Sequence, residues 1–109
     1  MRIRFEAQVM AGTRWDQTAE TFVSYTPALD LYSQGPTEPE ALRGLESAIR
    51  LYLITAYEKG MLARLLQRHG FKASAGVPAI ALQEYIRILE EKEFEHLVSL
   101  PAAVDLATA

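Results

Sequence analysis

The side chains able to do chemistry are few and scattered. His69 and His96 are the only two histidines, and neither has an acid or second ligand at metal-binding spacing. His69 precedes Gly70, where a helix C-terminus would favour a cation; His96 stands among Glu93 and Glu95 on a solvated stretch. The carboxylates of Asp16, Glu20 and Asp30 are the ones a magnesium-dependent nuclease would use, yet such a centre needs acids from adjacent strands aimed at one point. Glu38, Glu40 and Glu46 read as caps and a solvated helix face. The six glycines are dispersed, so no phosphate-cradling loop is present, and no Gly-x-Ser-x-Gly elbow occurs. With no cysteine there is no thiol nucleophile, disulfide or zinc-thiolate site. The expectation is a protein that is not an enzyme, with no catalytic residues, no bound metal and no cofactor.

Surfaces carry the sharper signal. Trp15, flanked by Arg14 and Asp16, lies in a polar stretch where no periodicity demands its burial. Tryptophan beside arginine is the composition of an interface hot spot, so Arg14 and Trp15 are candidate partner-binding residues. The competing reading folds Trp15 back over a sheet edge. From Leu51 to Tyr57 nearly every residue is apolar, making Tyr52, Ile54 and Tyr57 candidates for an oligomer interface. A homo-oligomer, most simply a symmetric dimer, would bury that run and an unpaired edge strand.

These residues need elements to position them. Ile3, Phe5, Ala7 and Val9 alternate with Arg2, Arg4, Glu6 and Gln8, which predicts a half-buried strand. Ala11 to Ala19 is polar and contains Gly12, predicting a long hairpin loop. Further strands are predicted at Thr21–Thr26, ended by Pro27, and at Asp30–Gln34, ended by Gly35-Pro36. Thr37-Glu38-Pro39-Glu40 is a capping box opening a helix that Gly60 closes. Gly44 within it costs about 0.8–1 kcal/mol relative to alanine, and close helix–sheet packing would compensate. A short helix is expected from Met61 to His69, another from Pro78 to Glu91, and a last strand from Phe94 to Leu100, ended by Pro101. Residues 102–109 should fray.

The 109 residues suit one small domain, and half of them are apolar, enough for a single core. No apolar run approaches the ~20 residues of a membrane span, so no membrane partner is expected and the location expected is cytoplasmic. Charge divides unevenly: residues 1–72 hold nine basic and eight acidic side chains (+1), residues 73–109 two basic and six acidic (−4). Phosphate binding needs clustered cations, so DNA binding by the C-terminal third is not expected, whereas a basic protein partner would be attracted.

The order Phe22–Leu29, Gln34-Gly35-Pro36-Thr37 and Glu40-Ala41-Leu42, followed by Tyr57–Leu62 and Leu65–Phe71, resembles the HicB antitoxin family over about residues 1–72. The resemblance implies an α+β fold, a β-β-β-α-β core of partial ribonuclease-H-like type without its catalytic acids. It also implies a partner, a small basic HicA-type toxin whose mRNA cleavage the antitoxin blocks. Members that repress their own operon carry a C-terminal DNA-binding module; residues 73–109 lack a basic recognition helix and are expected to complete the fold instead. A stand-alone oligomeric member without a toxin is one alternative, and a metal-dependent nucleic-acid-processing domain using Asp16, Glu20 or Asp30 is the other.

Overall fold

The computed structural model describes residues 2–62, 64 and 79–107, with side chains from 8 to 62, at 64 and from 83 to 102. Among the described residues, four strands and two helices follow in the order β1 (Arg2–Asp16), β2 (Thr21–Thr26), β3 (Leu31–Gly35), α1 (Glu38–Glu58), α2 (Ala79–Glu91) and β4 (His96–Ala107). The fold is α+β. All four strands join one antiparallel sheet ordered β3-β2-β1-β4, so the last strand of the chain lies beside the first. The helix expected from Met61 to His69 falls largely outside the described residues.

Two expectations about the strands are corrected. The stretch from Ala11 is not a loop, because β1 continues to Asp16 and pairs Gly12–Asp16 with Tyr25–Thr21 of β2. Alternation simply carries on: Ala11 and Thr13 are buried on one face while Gly12 and Arg14 serve the other. Pro101 does not end β4, which runs on to Ala107 instead of fraying. The register explains why. Pro101 stands opposite Gln8, and the carbonyl of Met10 is turned toward β2, where it accepts from Thr26 Oγ1 at 2.9 Å. Main-chain groups alternate along an antiparallel strand, so those of Gln8 also turn away from β4. Pro101 therefore needs no N–H toward β1, and its nitrogen lies on the outer edge, where proline is tolerated.

Helix α1 covers one face of the sheet. Leu45, Ile49 and Leu53 recur at helical spacing and meet Val9, Ala11, Leu29, Leu100 and Ala102. Thr37 caps the helix, its hydroxyl accepting from the Glu40 amide at 3.3 Å. Small residues then hold the first turns against the strands. Ser24 donates to the Ala41 carbonyl (2.7 Å) and Thr13 to Glu38 Oε1 (2.8 Å). A Cβ on Gly44 would collide with Ser33 Oγ, so this mid-helix glycine lets the helix approach the sheet closely. At the other end Gly60, at φ +69°, closes a Schellman motif: its amide donates to Tyr57 and that of Met61 to Ala56.

The opposite face is covered by the end of α2 and the turn after it. Leu89 and Phe94 are buried there with Tyr25, alongside Met10, Val23, Ile88 and Leu97. Contact is closest at Gly12, where an added Cβ would lie 2.7 Å from Phe94 Cβ and 3.0 Å from Leu89 Cδ2. Replacing Gly12 by alanine should thus overpack the sheet–α2 junction and cost about 1–3 kcal/mol. Urea denaturation of Gly12→Ala beside the parent chain measures this.

Candidate functional site

Across the second face of the sheet run three stacked rings. Tyr25 and Tyr32 are directly paired on β2 and β3, so their side chains share a face, and their ring centroids lie 4.2 Å apart with planes at 27°. Phe94, delivered by the turn after α2, stacks on Tyr25 at 5.6 Å and 18°. Two cations flank the rings: Arg14 lies with its guanidinium carbon 5.5 Å from the Phe94 centroid, and Lys92 Nζ lies 5.2 Å from that of Tyr25. The Arg14 Nε is buried without a hydrogen-bond partner, so the ring face is what compensates its desolvation. Tyr25 and Phe94 are buried, whereas Tyr32 is 53% exposed at the open end of the stack.

Glu91 at the end of α2, and Glu93 and Glu95 on the turn between α2 and β4, are exposed. Glu93 holds the left-handed position that ends α2, at φ +65°, with its amide donating to Glu90 and that of Phe94 to Leu89. A glycine would occupy that position without the Cβ penalty. On the outer side of α2, Arg87 pairs with both Glu84 and Glu91, and its first and largest effect is through the Glu84 hydrogen bond, which lowers the Glu84 pKa.

Arg14 and Trp15, read together from the sequence, do not form one site. Neighbours on a strand point to opposite faces. Arg14 joins the aromatic stack, while Trp15 packs edge-on against Phe22 (5.1 Å, 72°) on the other face and stays 41% exposed. Tyr52, Ile54 and Tyr57 are half-buried against the α1 core of their own chain, and it is Leu51, 66% exposed, that this part of the helix presents to solvent. Tyr25, Tyr32 and Phe94 were not singled out from the sequence. The readable signal was the pairing of β2 with β3, which sets the two tyrosines side by side.

The three acids that a metal centre would use are spread apart. Asp16 caps the β1–β2 turn, its Oδ1 accepting from the Thr18 and Ala19 amides at 3.0 Å each. Glu20 ends the same turn at φ +52°. Asp30 lies at the far end of β2, in the turn before β3, and accepts from the Tyr25 hydroxyl at 2.8 Å. Among the described residues no group of three His, Cys, Asp or Glu side chains could hold a metal ion. A shallow cavity of about 100 Å³ between α1 and β4 is lined by Glu46, Ile49, Arg50, Pro101 and Ala102.

Burial pushes the Tyr25 hydroxyl above its ordinary pKa, and its hydrogen bond to Asp30 and that residue's charge push it further. The fold thus favours the neutral phenol. Its contribution to stability is complete below about pH 10, the ordinary tyrosine value, and is lost as pH rises beyond it. Tyr25→Phe should cost about 1 kcal/mol at neutral pH through the lost bond, and should flatten the decline in stability above pH 10. Urea melts across the alkaline range read both effects.

No helix among the described residues is long and apolar enough to cross a membrane. No family model matches the chain, and neither a curated protein nor a solved structure does.

Proposed function

We propose that the protein acts by binding another protein, a small basic one, through the aromatic stack and the acidic turn beside it. The observation that carries this reading is Tyr32: a large ring, half in solvent, stacked on buried Tyr25, which stacks in turn on buried Phe94, whose own turn carries exposed Glu93 and Glu95. Anchored aromatics are what interface hot spots are made of, and surrounding acids select a cationic partner and speed its encounter. Glu93 adds a second support. It keeps a carboxylate on the rim at a left-handed position, and strained positions retained at a surface point to use.

The resemblance to the HicB antitoxins makes the partner more specific: a HicA-type toxin, sequestered rather than modified. Three strands, a long helix and a returning strand are the element order that such a core requires, with α2 placed before the last strand. The partial ribonuclease-H-like description belongs to this proposal too. In it the C-terminal third completes the sheet and supplies acidic surface, and operator DNA is not its target.

Co-expression with the product of the neighbouring open reading frame, then affinity purification, tests this. A small basic protein should be retained, and Tyr32→Ala should weaken its capture by roughly 30-fold, as loss of a 2 kcal/mol hot spot would. Glu93→Gly should weaken capture as well while raising the midpoint of unfolding. Failure to retain such a protein, or capture indifferent to both substitutions, would overturn the reading. Saturable binding of magnesium or manganese together with RNA cleavage would replace it by the enzymatic one.

A further inference from the structure

The sheet has a step in it. Strand β1 is paired with β4 from Arg2 to Thr13, but with β2 only from Gly12 to Asp16. On the β2 side, therefore, no strand among the described residues pairs with the first half of β1. Two hydrogen bonds fix which residues face that flank. The Thr13 carbonyl accepts from the Glu95 amide on the β4 side, and the Met10 carbonyl accepts from Thr26 on the β2 side. By alternation the amides and carbonyls of Arg2, Arg4, Glu6 and Gln8 are directed at the vacant flank. The two outer edges of the sheet differ from it: β3 has only five residues, and β4 carries Pro101. Short strands, proline and like charges are the usual protection against edge pairing; the unpaired flank of β1 is neither short nor proline-bearing, and its charges, Arg2, Arg4 and Glu6, are of both signs.

We infer that this flank is closed by the same segment of a second copy, β1 pairing antiparallel with β1 across a two-fold axis at Phe5. An isologous strand pair sets residue i against residue j with i plus j constant. Because only even-numbered residues direct their main chain at the flank, that constant is even. With Arg2 against Arg4, or Arg4 against Arg4, like charges would be opposed; with the axis at Glu6, two glutamates would be. The axis at Phe5 opposes none of these. It sets Arg4 against Glu6 twice, Arg2 against Gln8 twice, and Ile3 against Ala7 twice. Opposite charges in direct cross-strand register stabilise a pair, while like charges disfavour it. Seven residues, Arg2–Gln8, fill the step up to the point where Thr26 already occupies Met10. The charges in this strand thus choose a partner and a register at once, and the partner is the chain itself. This inference stands independently of the proposed toxin partner, whose surface lies around Tyr32.

Light scattering at tens of micromolar should give a dimer mass. Arg4→Glu and Glu6→Arg, each alone, should weaken dimerisation by at least about tenfold, since each sets like charges opposite one another twice. The double variant Arg4→Glu/Glu6→Arg should restore it, which no general loss of stability would do. The chain has no cysteine, so a thiol can be placed cleanly. Phe5 on the axis would be a non-hydrogen-bonded pair with Cα atoms about 4.5 Å apart, inside the disulfide range of roughly 4.4–6.8 Å. Phe5→Cys should then form a linked dimer on mild oxidation. Ile3→Cys and Ala7→Cys should link only when mixed. A monomeric mass for the folded parent chain would overturn the inference. A dimer indifferent to both charge reversals and unlinked through Phe5→Cys would do so too, and would move the interface elsewhere, with the α1 stretch around Leu51 the first place to look.

Discussion

The structure depends on the pairing of β1 with β4. These two strands, one from each end of the chain, run side by side for twelve residue positions, which makes the C-terminal third part of the sheet rather than an appendage. The arrangement is costly to reach, because closing so long a loop sacrifices chain entropy before any contact rewards it. What compensates is burial on both faces. Val9, Ala11, Leu100 and Ala102 come together under α1, and Leu97 joins Met10 and Phe94 under α2. Without β4 the α1 core would lose one side, and without the turn that leads into β4 there would be no Phe94 to stack on Tyr25.

Most of the first half of this fold is legible in the residues. Helix α1 begins at its Thr37 cap and ends at Gly60, and the alternation of β1 and the β-branched run of β2 mark those strands. Two features hide. The second half of β1 is largely polar and contains Gly12 and Asp16, types depleted in strands. It becomes strand because Thr13 is bonded to Glu38 and Gly12 admits Phe94, neighbours distant in sequence. The second half of β4 hides behind Pro101, whose usual veto lapses once its nitrogen lies on an outer edge. In both cases long-range geometry reverses a local preference.

The candidate surface was harder to see for the same reason. Tyr25 and Tyr32 read as ordinary strand residues, and Phe94 as part of a last strand. They make a site only when the β2–β3 register stacks the first two and the left-handed turn at Glu93 delivers the third. Arg14 and Trp15 illustrate the converse. Adjacent in sequence and alike in promise, they are separated by the pleat, which sends one to the stack and leaves the other at Phe22. Period-2 geometry is thus a stronger guide to a binding face than proximity along a strand.

The acids divide by position in a way that ties structure to use. Asp16, Asp30 and Glu38 are engaged by backbone amides, a phenol and a threonine hydroxyl, all at places where strands turn or a helix begins. Those around the α2–β4 turn are instead exposed, with Glu91 engaged by Arg87. A carboxylate that satisfies the fold is not free to meet a partner, while one held outward retains its full field in solvent, screened only beyond a Debye length. The charge excess of the C-terminal third is therefore concentrated where Phe94 and Tyr25 make the backing rigid. On the proposed reading, a cationic partner would meet the exposed acids of this turn and the open ring of Tyr32. Arg14 and Lys92 already rest against Phe94 and Tyr25, which leaves Tyr32 as the ring of the stack open to solvent.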